Sequence, residues 1–131
     1  NSRIKRAVSC GIEVVKSSDS APFYKIADFV FCDYGGSAFG ALYMDKPILF
    51  LSPDNPYNDK HYSNDSPELI LRKELLNIDD IKIDELTNLL NNESLWAQQK
   101  IIRKDLRSIF FLDNYGKSGR YAAKLLKDKL T

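Results

Sequence analysis

The run Asp33-Tyr34-Gly35-Gly36-Ser37 holds the residues best suited to binding an anion. Adjacent glycines let the main chain approach a ligand closely, a helix starting there leaves its first-turn N–H groups without intrahelical partners, and the Ser37 hydroxyl adds a donor. A phosphate fits that set. The same residues also suit a plain turn, with the glycines serving close packing and Ser37 an N-cap; short glycine-rich turns are common, and the pattern alone does not choose. His61, the single histidine, stands in a polar stretch where it either contacts phosphate or moves a proton, or is incidental. Gly116-Lys117-Ser118 has the ending of a P-loop, but that motif needs a glycine five residues before the Gly-Lys pair, where Phe111 stands. Asp79-Asp80 and Asp84-Glu85 sit at a helix start, where carboxylates complement the dipole. Lys100, Arg103, Lys104 and Arg107 form a basic helical face, either solvated or resting on anionic lipid.

These residues need a scaffold, and the first half of the chain supplies one. Gly11 to Val15 reads as a short β-branched strand ending in the polar turn from Lys16 to Ser20. Ala21 to Ala27 reads as a short helix, with Asp19 or Ser20 as N-cap and Pro22 in the first turn. Phe29-Val30-Phe31-Cys32 is apolar on both faces, as expected of a strand inside a parallel sheet. Ser37 to Met44 is a small, apolar, buried helix, and Ile48 to Leu51 is a second buried strand introduced by Pro47. Strand, helix and strand at this spacing make a βαβ unit with parallel strands and a right-handed crossover.

The second half differs. Residues 53–67 are crowded with Pro, Asp, Asn and Ser and read as a loop; from Glu68 the pattern is helical throughout, with room for four helices. Residues 1–131 are thus one domain or fragment of the α/β class, with a βαβ core at 11–52, a loop at 53–67 and a helical half at 68–131. Nineteen Lys and Arg against eighteen Asp and Glu give no global field for a nucleic-acid backbone. Cys10 and Cys32 lie far apart with no ligand pattern around them, which argues against zinc and a disulfide scaffold and fits a reducing, cytoplasmic setting. No apolar run approaches the roughly 20 residues of a membrane span.

Ile26 to Gly40 followed by Lys46-Pro47-Ile48-Leu49-Phe50 resembles the donor-site signature of the CDP-glycerol glycerophosphotransferases, the teichoic-acid and capsule polymerases. That signature has an Ala-Asp pair, an apolar strand, Asp-Tyr-Ser-Ser, a short helix, then Lys-Pro and another apolar strand. Downstream, Asp54, Tyr57, Lys60-His61-Tyr62 and Asp65 fall where the family has an Asp, a Tyr and an Arg-Gly-Phe-Tyr segment, and Gly116-Lys117-Ser118 with Arg120 resembles the opening of its last helix.

The resemblance implies a partial Rossmann-like domain, the C-terminal half of a GT-B transferase: a three-layer sandwich with a short parallel sheet and a helix-rich C-terminal half. It implies a nucleotide-activated donor, framed by Asp33, Gly35, Gly36 and Ser37, with Asp54, Tyr57 and His61 as further substrate contacts. It also implies an N-terminal acceptor domain that carries the catalytic histidine and is missing here, so that this piece alone is inactive. No cofactor, metal or nucleic acid is expected, and the setting is cytoplasmic, peripheral at the inner face of the membrane. Gly35 and Gly36 replace two serines of the family, and Gly40 stands where it usually has Asp, or where the epimerase-like turn has Glu. A nucleotide-sugar glycosyltransferase or epimerase-like domain therefore stays open as an alternative, as does a non-catalytic α/β interaction module.

Overall fold

Ile48-Leu49-Phe50 forms the central strand, and all three side chains are buried. The structure is a computed structural model describing residues 2–33, 35–51, 63, 65–78, 82–111 and 116–130. Its sheet has three parallel strands in the order β1 (Val30–Cys32), β2 (Ile48–Phe50), β3 (Leu76–Asn77), with Val30 opposite Ile48 and Leu49 opposite Leu76. Helix α3 (Gly36–Tyr43) joins β1 to β2, and α4 (Pro67–Glu74) lies between β2 and β3, so the βαβ plan expected from the sequence is present and runs on through a second unit. Helices α1 (Ser2–Ser9) and α2 (Ala21–Ile26) precede the sheet. A 3-10 turn (Ile83–Glu85), α5 (Leu86–Leu90), α6 (Glu93–Phe111) and α7 (Ser118–Leu130) follow it.

Alternation along β2 sends neighbouring side chains to opposite faces. Ile48 and Phe50 join Ala38, Ala41, Leu42, Leu71 and Leu106 in one apolar cluster. Leu49 joins Leu89 and Trp96 in the other, where the Phe29 and Trp96 rings pack 5.1 Å apart. Burying side chains such as Phe50, Leu42 and Leu69 stabilises the fold by about 1.5–3 kcal/mol each.

The long helix α6 supplies both clusters. Its buried residues are Trp96, Gln99, Arg103 and Leu106, a single stripe at spacings of three and four. Asn92 caps it, the side-chain oxygen accepting from the Leu95 N–H at 3.1 Å. At the other end of the βαβ unit, α3 stops in a Schellman turn: Lys46 N–H donates to Ala41 C=O and Asp45 N–H to Leu42 C=O, with Asp45 at φ 54°.

Several sequence expectations change. Val14 and Val15 form no strand; residues 12–17 have no regular structure and are exposed, since no strand among the described residues lies beside them to pair. The βαβ core accordingly begins at Val30 rather than near Gly11. Leu75-Leu76, read as helical, leave α4 and start β3, because a short apolar run suits either period and Asn77 ends the helix by donating to the carbonyls of Arg72 and Leu75. Phe31 is 42% exposed, not buried. β1 is an edge strand with a neighbour on one side only among the described residues, and Phe31 is left partly in solvent. The four helices expected after Glu68 are present, and α2 starts as expected, with Asp19 accepting the Ala21 N–H.

Candidate functional site

Asp33 ends β1 and Gly35 caps α3, so the turn joins the C-terminal end of a parallel strand to a helix N-terminus, the position at which open α/β sheets bind ligands. Gly35 has φ 148° and ψ −172°, a conformation essentially confined to glycine. That explains why glycine, not a serine, stands there. Gly36 has no such requirement; among the described residues a β-carbon on it meets nothing within 4 Å. The Ala38 N–H is already committed to the Gly35 carbonyl at 3.2 Å, which leaves Gly36 and Ser37 as the residues whose N–H groups begin the helix. Asp33, Gly36 and Ser37 are exposed and Gly35 is partly buried.

Ser37 has a second task. It hydrogen-bonds the thiol of Cys32 in the strand below, and its carbonyl accepts the Tyr24 hydroxyl at 2.9 Å. Burial pushes the Cys32 thiol up to about 11, the Ser37 bond offsets part of that rise, and the neighbouring Asp33 charge adds to it. Cys32 is therefore a neutral packing residue and not a nucleophile.

Helix α2 is latched to this turn from the side. Besides the Tyr24 bond, Lys46 Nζ donates to the Lys25 carbonyl at 3.1 Å, satisfying the C-terminal end of α2. The Tyr24 ring lies directly over Gly40, where a β-carbon would come within 2.6 Å of Cε2. Two residues of the donor-site resemblance thus have packing duties: Lys46 holds α2, and Gly40 makes room for Tyr24. A carboxylate at position 40 would collide with the ring, and no single-residue signal in the sequence announces this partnership. Between α2 and β1 the surface forms a concavity lined by Ser20, Phe23, Tyr24, Ala27, Phe31 and Ser37, adjoining the turn.

Asp54, Tyr57 and His61 lie outside the described residues, as do Asp79 and Asp80. Asp65, nearby in sequence, accepts from the Ser63 hydroxyl, which holds its carboxyl below the usual range. The basic face expected on α6 divides. Lys100 and Lys104 are exposed, but Arg103 is only 3% exposed, and its Nε donates to Asp45 Oδ1 at 3.1 Å while Nη1 donates to Gln99 Oε1 at 2.9 Å. Arg107 lies 3.6 Å from the other Asp45 oxygen. The Arg103 and Arg107 part of this face therefore joins α6 to the end of α3, while Lys100 and Lys104 stay at the surface.

Gln99 completes that network and was missed in the sequence. Its amide accepts from the Ile48 N–H at 3.0 Å and donates to the Ile48 carbonyl at 2.7 Å. The bonds Val30 N–H to Pro47 and Leu51 N–H to Cys32 turn alternate groups of β2 toward β1, so Ile48 faces the side of β3. β3 pairs only from Leu49 onward, and Gln99 occupies the place of the absent residue. The available signal was its spacing, three after Trp96 and seven before Leu106, on the buried stripe.

Among the described residues no helix is long and apolar enough to cross a membrane. Comparison of the chain with protein-family models, with curated proteins and with solved structures finds no match in any of the three.

Proposed function

We propose that the chain is the nucleotide-donor-binding portion of a GT-B transferase of bacterial surface-polymer synthesis, similar to the CDP-glycerol glycerophosphotransferases. The observation that carries this reading is the turn itself: a parallel strand, a Gly35 conformation only glycine tolerates, and a helix start at Gly36 that no described residue crowds within 4 Å of its β-position. The donor pyrophosphate would lie on the N–H groups of Gly36 and Ser37, where the helix dipole favours negative charge. The aromatic concavity of Phe23, Tyr24 and Phe31 beside Ser37 suits the stacking of a base. The reaction is displacement at a phosphoryl or glycosyl centre, with the nucleotide leaving as its charge is stabilised at the turn. The acceptor and the catalytic histidine belong to a further domain, and no residue of this chain is assigned as catalytic. The setting is the cytoplasmic face of a membrane.

Tyr24 over Gly40 removes the carboxylate that would accept from ribose hydroxyls, and that favours neither CDP-glycerol nor a nucleotide sugar. Isothermal titration of the chain with CDP-glycerol, UDP-sugars and CDP therefore tests the reading. Binding of at least one, weakened by Gly36→Asp, supports it; no binding of any overturns it. A second reading, a non-catalytic docking module, is favoured by Ile101 and Ile102 of α6, both of them exposed. It is the outcome if every nucleotide fails and a partner covers those isoleucines.

A further inference from the structure

Helix α7 contributes nothing to either apolar cluster, and none of its residues is buried. Leu126 is 62% exposed and Leu130 85%. Yet its sequence is strongly two-sided. Ala122, Leu126 and Leu130 recur every four residues, flanked by Tyr121 and Leu125 at the same spacing, while Arg120, Lys124 and Lys127 follow at i, i+4 and i+7 on the opposite side. Lys129 falls within the apolar arc, where its long stem can lie flat while the ammonium reaches outward. The only acid is Asp128.

Helix α1 repeats the pattern. Ile4 and Val8 lie four apart, Arg3, Lys5 and Arg6 accompany them without an acid, and none of its residues is buried. Together the two helices hold seven of the chain's nineteen basic residues and one of its eighteen acidic ones, in a protein whose formal net charge is +1. The cations are thus gathered on the helices that leave leucine, isoleucine and valine uncovered.

We infer that α7 is a membrane-surface helix, lying in the interface of an anionic bilayer with Leu125, Leu126 and Leu130 at the headgroup–acyl boundary and Arg120 and Lys124 against anionic headgroups. Charge complementarity selects this occupant. A nucleic acid would satisfy the cations but give the leucines no apolar contact, and a second copy of α7 would cover the leucines but leave Arg120 and Lys124 facing away from it with no anionic surface to meet. Helix α1 offers a second contact of the same chemistry. The inference shares the membrane setting with the transferase reading but needs no nucleotide site.

Co-sedimentation of the full chain with vesicles tests it, without nucleotide. Phosphatidylglycerol-containing vesicles should bind the chain and pure phosphatidylcholine should bind it far less, with affinity falling about tenfold or more from low to high salt. Leu126→Glu/Leu130→Glu and Arg120→Glu/Lys124→Glu should each reduce binding by about tenfold or more. Both pairs lie outside the core, and the far-ultraviolet circular dichroism of each variant establishes that it is folded. Absence of binding to the anionic vesicles, or equal binding by both variants, overturns the inference. So does self-association without vesicles that Leu126→Glu/Leu130→Glu abolishes.

Discussion

The ring of Tyr24 fills the space into which residue 40 would project, with its hydroxyl anchored 2.9 Å from the Ser37 carbonyl. A β-carbon at position 40 must displace the ring, and moving the ring breaks that anchor. Gly40→Ala should therefore destabilise the fold by about 1–2 kcal/mol, the scale of a lost hydrogen bond with some overpacking. In a Tyr24→Ala background the same substitution should cost much less. Urea denaturation of the four proteins of this cycle measures the coupling, and additive effects would show that the two residues do not interact.

Gln99 substitutes for a strand residue, and its loss should be costly. Gln99→Leu leaves the Ile48 N–H and carbonyl buried without partners and removes an acceptor from Arg103. A loss of about 2–4 kcal/mol is expected in a chemical melt. A change below about 0.5 kcal/mol, the usual range of surface substitutions, would mean that the amide is not part of the sheet.

Gly35 and Gly36 should respond differently. Gly35→Ala forces a side chain into φ 148° and should cost about 1–3 kcal/mol. Gly36→Ser meets no described residue within 4 Å of its β-carbon and should be nearly neutral in thermal melts. Equal effects at the two positions would contradict this division of roles.

Cys32 and Cys10 should separate in thiol chemistry. Cys10 is exposed, while Cys32 is buried with its pKa pushed up to about 11. At pH 8 a disulfide reagent should modify Cys10 quickly and reach Cys32 only on unfolding. The unfolded thiol ionises near 9.0 and the folded one near 11, so burial of the neutral form contributes fully below 9.0 and its contribution is lost as pH rises toward 11. Cys32→Ala should remove that alkaline component, visible as the difference between stability profiles of the two proteins.

What the sequence made legible was set by how local each signal is. The strand–turn–helix–strand from Val30 to Phe50 could be read because apolar runs, paired glycines and Pro47 punctuate it within a few residues. The two-residue strand Leu76–Asn77 could not, because Leu75-Leu76 fit a helix equally well and only pairing with Leu49 and Phe50 decides between them. Val14-Val15 differ in the opposite direction, having strand-like residues but no strand among the described residues to pair with. At the turn, the position of Asp33, Gly35, Gly36 and Ser37 was legible, while the reasons for Gly40 and Lys46 lie across the chain in Tyr24 and Lys25. Arg103 is a similar case: its charge suggests solvent, but its place between Trp96 and Leu106 on the buried stripe decides its burial.

The central claim is that the Gly35–Ser37 turn binds the phosphates of a nucleotide donor, and backbone amide resonances read this directly. Titration of the isotope-labelled chain with CDP-glycerol, UDP-sugars and free nucleotides should shift the amides of Gly35, Gly36 and Ser37 in a saturable way for at least one ligand, with smaller changes at Phe23 and Tyr24. Unmoved amides at Gly35 to Ser37 with every one of these ligands would contradict the claim.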